Sequence, residues 1–174
     1  MAGPNSGHAP FRVQSAVFLR EGLGSVGLVW GLTEDTAAFP KKQRQCFALL
    51  IQRFAGAESA ILSLQHLKIG EFLQNVPWLE SGNPTWVNGT VELARTPFKH
   101  PIDQFLSLEV AVDGANVEVL ADGQSVWKPI IADQPLRDLL AKSDGPFGLA
   151  GHGKSVAFRD AAVKFLTSTR KDNR

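Results

Sequence analysis

From Phe11 onward, apolar and polar residues alternate with a period of two. In FRVQSAVFLR, Phe11, Val13, Val17 and Leu19 oppose Arg12, Gln14 and Arg20, as in a strand with one buried face. SVGLVWGL repeats the pattern with Val26, Leu28, Trp30 and Leu32 on one face and Gly27 and Gly31 on the other. Two glycines on one face predict either a bend in a curved sheet or the close approach of a backbone or ligand. QCFALLIQRF and SAILSLQHL, joined through the Ala-Gly turn at 55–57, predict a hairpin. FLSLEVAVDG and NVEVLADG predict a second, with Leu106, Leu108, Val110 and Val112 pointing one way and Ser107, Glu109 and Ala111 the other. Asp113-Gly114 and Asp122-Gly123 supply turn positions with positive φ.

QSVWKPI leads out of that hairpin, and GPFGLAGH and SVAFRDAAVKFL form a closing pair around Gly153-Lys154-Ser155. Val156 and Phe158 have the opposite parity to Val163 and Phe165, so the last strand needs a bulge near Asp160-Ala161. One stretch reads as helix. QPLRDLLAKSDG has an early Pro135, apolar Leu136, Leu139 and Leu140, and a stopping Gly145. Residues 66–86 read as a strand then a loop, or as a short helix over Ile69 to Val76. About nine short strands and one helix predict an all-β fold, an antiparallel β-sandwich. The divisions expected are a flexible lead-in at 1–10, one domain over 11–167 and a basic tail at 168–174.

Composition narrows the function classes. The 174 residues suffice for one domain with its own core, and the formal net charge of +1 offers no basic surface for nucleic acid or an anionic membrane. The single cysteine, Cys46, excludes an internal disulfide and lies in the apolar run CFALLI, where an inert buried thiol is expected. No apolar stretch is long enough to span a membrane, and MAGPNSGHAP lacks the basic and apolar regions of a signal peptide. The expectation is a soluble chain, cytoplasmic as it stands or a domain cut from a secreted protein.

GPFGLAGHG followed by VAFRDAAVKFL resembles the closing signature of the bacterial 3-keto-disaccharide hydrolase (DUF1080) family. FLSLEVAVDGANVEVLADGQSVW resembles its preceding hairpin, and GSVGLVWG and QCFALLIQ resemble earlier strands of related sandwiches. The resemblance implies a concanavalin A-like lectin/glucanase jelly roll. Ala150 and Asp160 stand where the family usually has glutamine and asparagine, and the apolar CFALLIQ replaces an acidic strand. Those departures put the hydrolase activity in doubt and leave the fold untouched.

Catalytic chemistry is thinly represented. Glycoside cleavage uses two facing carboxyl groups, and of the nearest pair, Glu109 and Asp113, the second sits in a turn. His8, His66, His100 and His152 have no metal-ligand spacing, and Asp103, Asp113 and Asp122 each mark a turn, which leaves calcium a weak expectation and other metals none. Binding has more to work with, because a sugar offers an apolar face fringed by hydroxyls. Trp78 and Trp86 flank the polar loop LESGNPT as candidate platforms, although aromatics there also tuck under loops; Trp30 and Trp127 read as core. His152 and Arg159 border a groove if the outward face of the last strand is concave, and Arg159 is merely solvated if that face is convex. The residues point to a non-catalytic carbohydrate-binding module. The alternatives are a hydrolase of the 3-keto-disaccharide type and a protein-interaction module of a larger chain.

Overall fold

A computed structural model describes residues 9–20, 24–35, 43–54, 59–70, 90–101, 103–143, 145–153 and 156–166. Among these residues, ten strands and one helix run in order: β1 Phe11–Leu19, β2 Gly24–Asp35, β3 Gln43–Arg53, β4 Ala60–Gly70, β5 Thr90–Phe98, β6 Phe105–Asp113, β7 Asn116–Ala121, β8 Gln124–Trp127, α1 Gln134–Leu140, β9 Gly148–His152 and β10 Val156–Phe165. They form two five-stranded antiparallel sheets, ordered β10-β1-β6-β7-β8 and β5-β4-β3-β2-β9. No helix among the described residues is long and apolar enough to cross a membrane.

The alternation read from the sequence generates the core. Val13 and Val17 of β1, Leu108 and Val110 of β6 and Val119 of β7 meet Leu28 and Trp30 of β2, Phe47, Leu49 and Ile51 of β3 and Leu62 and Leu64 of β4. Each such side chain contributes roughly 1.5–3 kcal/mol on full burial. Trp30 stacks on Phe47 with ring centroids 6.1 Å apart. The helix is capped by Asp133, whose Oδ1 accepts from the Leu136 amide at 2.9 Å, and it delivers Leu140 to the core.

The expected bulge in β10 is present. Asp160 takes φ 56°, the register against β1 shifts between Gln14 and Ala16, and the Ser15 hydroxyl donates to the Arg159 carbonyl at 2.9 Å. The extra residue lets Val163 and Phe165 stay opposite Val13 and Phe11. Gly114 and Gly123 take the positive φ expected of their turns.

Three expectations change. GPFGLAGH and SVAFRDAAVKFL do not pair with each other: β9 pairs with β2 and β10 with β1, so the chain crosses from one sheet to the other between them. Leu32 leaves the face of Trp30, because Gly31 adopts φ 67° within an irregularity of register and reverses the parity of the residues after it. Gly31 also meets a close neighbour, since a Cβ there would lie 2.6 Å from that of Ser143. TVELARTPF forms the unforeseen edge strand β5, with Pro97 and charged residues at the edge where both are tolerated.

Candidate functional site

The second sheet has a structured outer face as well as a core face. Antiparallel register lines up His152, Ser25, Gln52, Ile61 and Pro97 across five strands, then Ala150, Gly27, Leu50, Ser63 and Arg95, then Gly148, Val29, Ala48, Gln65 and Glu92. Cys46, Ala48, Leu50, Leu67 and Ala150 form a small buried apolar cluster on this face, joined by Val29 and Leu32. Burial pushes the Cys46 thiol up to about 11, consistent with an inert core residue.

Beside that cluster runs a hydrogen-bonded polar array. The Gln65 amide donates to the Ser63 hydroxyl at 2.9 Å and to Gln52 Oε1 at 3.5 Å, and Ser63 donates to Glu92 Oε2 at 3.0 Å. Glu92 Oε1 lies 3.6 Å from Arg95 Nε. Ser63 and Gln65 are buried and form the floor, while Glu92 and Arg95 rise into solvent at the β5 edge. The buried Ser63 hydroxyl and Gln65 amide thus hold in place a carboxylate and a guanidinium that present acceptors and donors at the edge, across three adjacent strands with Gln52. His152 stands in the Gln52 row two strands away, roughly 10 Å at ordinary strand spacing.

Arg159 lies elsewhere. It pairs with Ala16 of β1 and faces away from the core on the first sheet. Its guanidinium carbon sits 4.0 Å above the Phe105 ring, Phe18 tilts against that ring at 5.3 Å, and Asp160 lies 3.7 Å from Arg159 Nε. His152 and Arg159 therefore occupy the outer faces of opposite sheets and border no common groove. The hairpin expectation places them together, and the crossing between β9 and β10 separates them.

No family model matches the chain, and no curated protein matches it in sequence. Among solved structures, the carbohydrate-binding module CBM66 from Bacillus subtilis aligns with a TM-score of 0.53 and 11% identity over 91% of this chain and 77% of the module. The chain has an antiparallel jelly-roll β-sandwich fold. Sheep galectin-11 in complex with glycerol (TM-score 0.48, 11% identity, 94% of this chain and 100% of that one) and the PL7 alginate lyase of Zobellia galactanivorans (0.31, 14%, 92% and 63%) are more distant and bear on nothing further.

His66 pairs with Phe47 on the core side, its ring 5.2 Å from the phenyl, and its pKa is lowered by burial first and by the charge of Lys68 second. Trp30 is core and Trp127 packs half-buried against it, as the strand patterns indicate. Trp78, Trp86 and His8 lie outside the described residues, as does the alternative short helix over Ile69 to Val76 beyond Gly70. Among the described residues no group of three or more His, Cys, Asp or Glu side chains could hold a metal ion. Gln52, Ser63, Gln65, Glu92 and Arg95 escape the sequence reading. The available signal is two polar residues of one parity, Ser63 and Gln65, between the apolar residues Ile61, Leu62, Leu64 and Leu67 of β4.

Proposed function

We propose that this jelly roll is a carbohydrate-binding module that holds a sugar against the outer face of its second sheet without catalysing a reaction on it. The observation that carries the reading is the array Gln52–Gln65–Ser63–Glu92–Arg95, in which amide, hydroxyl and carboxylate groups are aligned by mutual hydrogen bonds and the guanidinium by its ion pair with Glu92. Sugar hydroxyls donate and accept in pairs, so a preorganised set of this kind meets them with little ordering of side chains. Trp78 and Trp86 fall, in sequence, between the two strands that carry Ser63, Gln65, Glu92 and Arg95, and the reading assigns them the apolar faces of the sugar. His152 extends the polar row. Arg159, stacked on Phe105, belongs to a separate contact surface on the first sheet.

The similarity in fold to a carbohydrate-binding module agrees with this reading. A hydrolase of the 3-keto-disaccharide type would use an acid and a base flanking the bond to be cleaved. Among the described side chains of this face Glu92 is the sole carboxylate, so the binding reading is preferred. A glycan array probed with the purified chain, with and without calcium, tests the proposal. Binding to a restricted set of saccharides is expected. No binding in either condition overturns it and favours the protein-interaction module.

A further inference from the structure

Two basic groups are buried at the end of the sandwich where β3 and β5 finish. Arg53, the last residue of β3, shares the core-facing parity of Leu49 and Ile51 and stands in register with Gly24. It is 8% exposed, and its Nη1 is buried without a hydrogen-bond partner among the described residues. His100, two residues beyond β5, is 5% exposed, and both its ring nitrogens are buried without partners among the described residues. Its ring lies edge-on to Phe98 at 6.4 Å, and Phe98 is in register with Ala60 at the start of β4, so both basic residues sit at one end of the same sheet. Burial lowers the pKa of His100 most, and the guanidinium of Arg53 lowers it further. The backbone carbonyl of Pro101 partly offsets both.

Buried donors without acceptors are costly, and a buried cation is normally balanced by an anion. Of the described carboxylates at this end, Asp103 lies against Arg20 and Asp122 accepts from the Ser107 amide. A planar carboxylate fits the need, because its two oxygens match the guanidinium fork while an imidazole N–H supplies a third donor.

We propose that Arg53 and His100 form an anion subsite at this end of the jelly roll that receives the carboxylate of an acidic ligand. The subsite lies on the core-facing side of the second sheet, opposite the polar array, and is independent of the sugar reading. Sodium acetate and sodium glucuronate are the probes, tracked at the imidazole resonances of His100 in the full chain, with sodium chloride at matched ionic strength as the control. Both carboxylates are expected to shift the His100 signals saturably, and chloride is not. Arg53→Met is expected to weaken carboxylate binding by at least about tenfold, as for a lost charged hydrogen bond, with partial recovery in Arg53→Lys. If Arg53→Met fails to fold, the wild-type titration decides alone. Absence of a saturable shift, an equal response to chloride or an undiminished response in Arg53→Met overturns the subsite. Failure here leaves neutral-saccharide binding on the array untouched, and an empty array leaves a carboxylate response at His100 standing.

Discussion

Ser63 donates a 3.0 Å hydrogen bond to Glu92 across the β4–β5 pair while accepting one of 2.9 Å from Gln65. One buried hydroxyl therefore fixes an amide on one side and a carboxylate on the other. Substituting Ser63→Ala removes the link and leaves the buried Gln65 amide short of an acceptor. The expected cost is about 1–2 kcal/mol, a fall in Tm of roughly 2–8 °C for a chain of this size, read by thermal denaturation. An unchanged Tm would mean that water replaces the hydroxyl without loss.

Two glycines separate steric from conformational cost. A Cβ on Gly27 would lie 1.9 Å from the Leu49 carbonyl oxygen and 2.9 Å from the Leu50 Cα, both backbone atoms that cannot yield cheaply. Gly114 has φ 56° with nothing within 4 Å of its Cβ position. Gly27→Ala is expected to cost more than about 2 kcal/mol through overpacking, and Gly114→Ala about 1–2 kcal/mol through left-handed backbone alone. Chemical denaturation of the two variants checks the order, and the reverse order would contradict the β2–β3 register.

Cys46 should be chemically silent in the folded chain. Its thiol is buried and its pKa raised from 9.0 to about 11, so at about pH 8 a thiol reagent is expected to modify it only in denaturant. The unfolded chain releases this proton from about pH 9 while the folded chain holds it to about pH 11, so stability falls as the pH rises through that window. Rapid native modification at about pH 8 would place Cys46 outside the buried cluster.

Acid acts through His66 and His100. Both pKa values are lowered by burial, so both side chains are neutral in the folded and unfolded chain above about pH 6.5. Below that value the unfolded chain takes up protons first, and stability is lost as the pH falls toward the folded-state pKa values. Tm measured between about pH 8 and pH 5 should hold steady and then decline from about pH 6.5, less steeply in His66→Leu. A flat profile down to about pH 5 would mean that both rings accept protons without leaving their sites.

Much of the architecture is legible in the sequence because most strands have one buried face. Leu106, Leu108, Val110 and Val112 mark β6 directly, and the turn residues Asp113-Gly114 fix its partner. The parity change between Phe158 and Val163 requires a bulge near Asp160-Ala161, and the structure has it at Asp160. Alternation states which face a side chain takes and says nothing about which strand lies alongside. That is why the pattern suggests pairing β9 with β10, neighbours along the chain, although each joins a different sheet. The polar array is illegible for the same reason: Ser63 meets Glu92 through a strand nearly thirty residues later, and β5 lacks the apolar alternation that announces a strand.

The most direct test of the central claim maps a bound saccharide onto the two outer faces. With a saccharide selected on the array, side-chain amide and guanidinium resonances are monitored by NMR in the wild type and in Gln65→Leu. Shifts are predicted at Gln52, Gln65 and Arg95, together with a loss of affinity in Gln65→Leu of about tenfold or more, as for a hydrogen-bond partner left unpaired. Shifts confined to Arg159 and the Phe105 face, with Gln65→Leu binding as the wild type does, would contradict the claim.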